Sequence, residues 1–145
     1  MPLVVIMQNI YQTASELIDS QKTAFISSVD DDGFPNMKAM LAPRNREGIK
    51  TFYFTTNTSS IRVAQYRKNP KACVYFCNQG IFRGVMFKGN VDILEDIFHK
   101  TMIWRDGDTL YYPQGVTDPY YCVLRFTAAS GRYFSNLQSG NFLIE

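Results

Sequence analysis

Histidine is almost missing from this sequence. His99 is the only one, with no carboxylate cluster around it, which leaves a zinc site or a Ser-His-Asp triad without support. Cysteine is scarce too: Cys73, Cys77 and Cys122 form an odd set, so reduced thiols are expected rather than a disulfide framework. If Cys73 and Cys77 share the strand suggested by Ala72 to Cys77, ~3.3 Å per residue sets them roughly 13 Å apart. That separation excludes a direct bond or a shared metal. A dominant charge is also lacking. Fifteen Lys and Arg against 13 Asp and Glu leave a net charge of +2, scattered from Lys22 to Arg132, without the continuous basic stripe of a nucleic-acid binder. The apolar run Leu3 to Met7 is far too short to span a bilayer, and no Lys or Arg precedes Lys22 to open a signal peptide. The expected setting is therefore the cytoplasm, with no membrane and no nucleic-acid partner.

What is abundant is aromatic: 11 Phe and 9 Tyr within 145 residues. That length suits one compact domain over 1–145, and aromatics favour strands and interfaces. The excess over what one core needs leads us to expect β structure and a partner surface.

Along the chain, Ile10, Ala14, Leu17 and Ile18 recur at helical spacing between Gln8 and Ser20. Strand patterns follow at Thr23 to Val29, Met37 to Leu41 and Thr51 to Thr55, the first two joined by a turn-rich Asp30-Asp31-Asp32-Gly33-Phe34-Pro35. Ser59 to Lys68 reads as a helix stopped by Asn69-Pro70. Strands resume at Ala72 to Cys77 and Val85 to Leu94, Glu95 to Trp104 reads as a helix, and Tyr121 to Phe126 and Arg132 to Phe134 supply the last strands. The class expected is mainly β (α+β), a six-stranded antiparallel split β-barrel with short capping helices.

The densest polar cluster is Thr55-Thr56-Asn57-Thr58-Ser59-Ser60, followed by Ile61 and Arg62. It leaves a strand and enters a helix, whose free N–H groups and dipole suit an anion when an Arg stands in the first turn. Plain N-capping by Thr58 or Ser59 explains the same residues. Lys38 adds a second cation on the face shared with Met40 and Ala42. Either that face is exposed, or Lys38 meets a partner such as a phosphate shared with Thr56 and Arg62.

Four segments in order carry a resemblance: Asp32-Gly33-Phe34-Pro35, Met37-Lys38-Ala39-Met40-Leu41, Phe52-Tyr53-Phe54 running on through Thr55 to Arg62, and Lys68-Asn69-Pro70-Lys71-Ala72. They resemble the pyridoxamine 5'-phosphate oxidase-like, FMN-binding split-barrel family. Gly89-Asn90-Val91-Asp92, Trp104 and the stretch Pro113 to Pro119 are similar to its general stress protein subgroup. The resemblance implies a homodimer with FMN at the interface. By position, Lys38 stands where the family's strand arginine meets the phosphate, and Arg62 where its phosphate-binding lysine stands. Ser60 matches the preceding serine. Met37, Lys38, Ala39, Met40 and Leu41 would run backbone groups along the flavin ring, Thr55 and Thr56 would contact ring or ribityl chain, and Asn57 would belong to the same cofactor-binding set. Trp104, Tyr112 and Tyr120 either line the ring or pack in the core. Ile61 stands where the oxidases often keep a second arginine and Gly84 where they often place a glutamine. No arginine and histidine motif for pyridoxamine phosphate follows Asn136, so pyridoxal phosphate synthesis is not expected.

Three functions stay open at this level. The first is an FMN-dependent oxidoreductase passing electrons between a small-molecule donor and acceptor. The second is a flavin-binding stress or sensor module without turnover. The third is a flavin-free barrel binding single-stranded nucleic acid through aromatics and Arg67, Lys68 and Lys71.

Overall fold

The computed structural model describes residues 2–145. Two short helices open it, α1 (Leu3–Gln8) and α2 (Ile10–Ser20). The expected helical spacing holds in α2, where Ile10, Ala14, Leu17 and Ile18 are buried. The Asn9 backbone departs from helical geometry and separates it from α1.

Eight strands follow rather than six: β1 (Thr23–Val29), β2 (Pro35–Leu41), β3 (Asn45–Glu47), β4 (Thr51–Asn57), β5 (Lys71–Asn78), β6 (Arg83–Leu94), β7 (Tyr121–Ser135) and β8 (Gln138–Leu143). Helix α3 (Ile61–Lys68) interrupts them after β4 and α4 (Ile97–Met102) after β6. Every pairing is antiparallel. The order is β2-β1-β5-β6-β7-β4-β3, with β8 added to β7, and this path does not close. The six-stranded barrel is thus corrected to an eight-stranded open sheet, with β2 and β3 at its two ends.

The strands expected at Tyr121 to Phe126 and Arg132 to Phe134 are one continuous β7. The middle of that strand is small because its neighbours crowd it: a side chain at Gly131 would collide with the Phe142 ring. The sheet bends where the β6–β7 register shifts at Lys88/Gly89. Gly89 lies so close to the Thr127 carbonyl that any Cβ would strike it, the backbone approach that marks a bulge.

On the inner face, Phe52, Phe76, Phe87 and Phe126 are fully buried, with Phe52 centred 5.3 Å from Phe87 and 5.6 Å from Phe76. Strand β4 is buried on both faces, because Tyr53 packs with Ile103, Tyr121 and Val123 in a second cluster formed by the segment after α4. The outer face elsewhere stays uncovered. Phe25, Tyr75 and Phe134 form a half-buried aromatic row, centred 6.3 Å and 6.2 Å apart. Beside it Met37 and Leu41 of β2 are exposed. No helix among the described residues is long and apolar enough to cross a membrane.

Candidate functional site

The β1–β2 hairpin sets the first wall. Its tip is the expected turn: Asp30 Oδ1 accepts from the backbone N–H of Asp32 at 3.0 Å and of Phe34 at 2.8 Å, and Gly33 takes the left-handed conformation at φ 85°. Register then aligns Lys38 with the fully buried Ile26 and Met40 with Ala24. Lys38 and Met40 therefore share the inward side of β2, as the alternation requires. Strand β2 pairs only with β1, so its other edge leaves backbone polar groups unpaired along its length.

The second wall is the β4–α3 junction. Ser60 caps α3, its Oγ accepting from Val63 N–H at 3.2 Å. Asn57 Oδ1 accepts from Ser59 N–H at 2.8 Å and from Ser59 Oγ at 2.7 Å. Helix α3 is held against β1 by the Tyr66 hydroxyl, which donates to the Ser27 carbonyl at 2.7 Å. Burial pushes the Tyr66 phenol up, keeping it a donor. This seating aims Arg62 back at β4, where Nη2 donates to Thr56 Oγ1 at 3.3 Å. Arg62 Nε is buried without a hydrogen-bond partner, the one such side-chain atom among the described residues.

The third wall is the turn after α4. Asp108 is buried and accepts from both terminal nitrogens of Arg44, including Nη2 to Oδ1 at 2.8 Å, and from Arg105 N–H at 2.9 Å. Arg44 Nη1 also donates to the Ile103 carbonyl at 3.1 Å. The guanidinium hydrogen bond holds the Asp108 carboxyl below the usual range and raises Arg44 in return. Directly beyond, Tyr111 is exposed and Tyr112 half-buried against Tyr121, centred 5.0 Å away. Burial, foremost, raises Tyr112 and pushes Tyr121 up to about 12.

These walls enclose a cleft of about 400 Å³, within the range of small-molecule sites. Eight residues anticipated from the sequence line it: Lys38, Ala39, Met40, Leu41, Thr55, Thr56, Arg62 and, of the aromatic candidates, Tyr112. Four do not. Met37 points to the outer face, the oxygens of Asn57 and Ser60 are used within the turn and cap, and Trp104 stands behind Tyr112 at 6.5 Å between ring centres. The cap expected at Thr58 or Ser59 falls instead on Ser60, which is the residue that precedes the first turn of α3. Arg44, Asp108 and Tyr111 also line the cleft and were not anticipated. Tyr120, a second candidate for ring contact, is exposed away from the cleft lining. Among the described residues no cluster of His, Cys, Asp and Glu could hold a metal ion.

Fold and cleft together define a small, mainly antiparallel β protein whose site lies between an edge strand, a helix start and a pinned turn. Residues 10–135 match the family model of pyridoxamine 5'-phosphate oxidase, and the chain belongs to that family. It is similar to a Clostridium acetobutylicum protein related to general stress protein 26 of Bacillus subtilis. Identity is 38% over 94% of this chain and 95% of that one, with a TM-score of 0.85. General stress protein 26 of Bacillus anthracis matches at 19% identity over 92% and 98%, with a TM-score of 0.74. A pyridoxamine 5'-phosphate oxidase-related, FMN binding protein of Nostoc punctiforme matches at 12% over 94% and 95%, with a TM-score of 0.67. Among curated proteins none matches.

Proposed function

We propose that this chain binds FMN in the cleft and works as a flavin-dependent oxidoreductase on a small-molecule electron donor and acceptor. One observation carries the reading: the buried Arg62 Nε has no partner among the described residues, and a buried charged donor without one is costly. A phosphate seated there satisfies it, with Thr56 Oγ1 beside it and Lys38 across the cleft. Family membership and the FMN binding protein of Nostoc punctiforme support the same ligand.

The residues present fit FMN in kind. Lys38 and Arg62 provide charge-assisted hydrogen bonds for the phosphate. The unpaired edge of β2 from Lys38 to Leu41 offers donors and acceptors along a flat heterocycle. Bound flavin supplies the hydride and electron transfer chemistry, while the protein supplies binding, orientation and exclusion of water. That division suits a lining whose only carboxylate, Asp108, is committed to Arg44.

The proposal includes a homodimer in the cytoplasm. The outer-face row of Phe25, Tyr75 and Phe134, continued by exposed Met37 and Leu41, supports a second copy covering that face. Met37 would then stand at the interface. Incubation with FMN, desalting and a visible spectrum should give a yellow protein sedimenting as a dimer at micromolar concentration. A colourless protein after incubation overturns the cofactor assignment, and a flavin-loaded monomer overturns the dimer.

A further inference from the structure

We propose that Asp108 determines what the aromatic end of the cleft accepts: by neutralising Arg44 it makes that end a site for a flat, uncharged molecule and turns anionic ones away. The inference rests on assigning the Lys38–Arg62 end to the flavin phosphate.

Charge balance within the cleft carries it. The lining holds three cations, Lys38, Arg44 and Arg62, and one carboxylate, Asp108. A phosphate monoester of about −1.5 to −2 charge offsets Lys38 and Arg62. Arg44 is the remaining cation, and both its terminal nitrogens already donate to Asp108, one of them also to the Ile103 carbonyl. Asp108 Oδ2 also accepts from Arg105 N–H. The pair is well shielded from water, the two side chains being 15% and 9% exposed, so its charges interact strongly with each other and the pair as a whole adds no net charge to that end.

The surroundings repeat this neutrality. On the other side of Arg44 lies a neighbouring cavity of about 310 Å³ that shares Ala42 and Arg44 with the cleft. Its second arginine, Arg46, is committed to Asp19 through two bonds of 3.1 and 2.8 Å. An anion entering the aromatic end thus loses its hydration, finds no unpaired cation in the lining, exposed Arg105 standing outside it, and approaches the Asp108 carboxylate. A neutral ring meets Tyr111 and Tyr112, the latter backed by Trp104 and Tyr121 at 6.5 and 5.0 Å. Backed in this way, Tyr112 is a fixed platform for stacking.

The matched probes are a naphthol and a naphthalenesulfonate, measured by equilibrium dialysis against protein saturated with FMN and again with inorganic phosphate. Failure of FMN to bind reports on the flavin assignment; the probe pair in phosphate reports on Asp108 independently. Wild type should bind the naphthol at least about tenfold more tightly than the sulfonate, the scale of one unmatched charge-assisted hydrogen bond. Asp108→Asn should raise sulfonate affinity about tenfold by releasing Arg44, and leave the naphthol nearly unchanged. Adding Arg44→Met should remove the gain. Equal affinities in wild type overturn the proposal, whether or not Asp108→Asn folds. So does a folded Asp108→Asn, checked by circular dichroism, without a gain for the sulfonate.

Discussion

Arg44 and Arg62 face the same cleft from opposite ends, and they differ in what the protein does with them. Arg44 is spent: its terminal nitrogens are taken by Asp108 and the Ile103 carbonyl. Arg62 is held by one long bond to Thr56 and keeps a buried Nε without a partner. A guanidinium satisfied inside the fold is a fastening, while one left short of an acceptor is a binding group. On the proposed reading Arg44 builds the wall that carries Tyr111 and Tyr112, and Arg62 holds the ligand.

The comparison breaks most visibly in stability. Arg44→Ala leaves the buried Asp108 carboxylate without its counter-charge, and removing one member of such a pair costs about 3 to 5 kcal/mol. Arg62→Ala, measured without flavin, should cost no more than about 1 kcal/mol, because it removes a weak bond together with an unsatisfied donor. Urea unfolding of both variants checks this, and equal losses would erase the distinction.

Acid sharpens it next. The Asp108 pKa lies below its unfolded value because Arg44 hydrogen-bonds the ionised form. Its contribution is therefore fully present above the ordinary carboxylate value of about 3.9 and fades as pH falls through the lowered native value. Asp108→Asn should lose stability at neutral pH and show a shallower acid limb than wild type, whereas Arg62→Ala keeps the wild-type limb. Thermal unfolding between neutral pH and pH ~3 reads this directly. An unchanged limb in Asp108→Asn would show that the pair carries no linkage.

The smallest effect concerns the cap. Ser60→Ala removes the side-chain bond to Val63 N–H and should cost about 1 kcal/mol. It should leave the ratio of FMN to riboflavin affinity unchanged, since Ser60 lies outside the cleft lining. A collapse of that ratio would return Ser60 to the phosphate site.

The part of this site that was legible in the sequence is the part built from neighbours in the chain. Lys38 was readable because one strand's alternation placed it, and Thr55, Thr56 and Arg62 because a strand end and a helix start follow one another within eight residues. The Arg44–Asp108 pair spans 64 residues, and no periodicity or spacing couples such positions. Strand β3 escaped notice because three residues carry no pattern, and β8 because Gln138, Ser139, Gly140 and Asn141 are poor strand formers held in place by β7. Gly140 has a tertiary reason that sequence cannot display: Met7 of α1 packs against it, with Sδ 3.0 Å from where a Cβ would stand. The aromatic excess led to the expectation of a partner surface, and the half-buried row Phe25, Tyr75 and Phe134 is the face proposed for it.

The assignment of Arg62 to the ligand is tested most directly by titrating FMN and riboflavin against wild type, Arg62→Ala, Lys38→Ala and the double variant, following flavin fluorescence. Each lost charge-assisted bond contributes roughly 1.5 to 3 kcal/mol, so each single variant should weaken FMN by about tenfold to a hundredfold while riboflavin barely changes. In the double variant the preference for the phosphorylated flavin should vanish with the fold intact. Equal weakening of both flavins would make the two cations structural. Unaltered FMN binding in the double variant would contradict the account, placing the phosphate away from the orphaned Arg62 Nε.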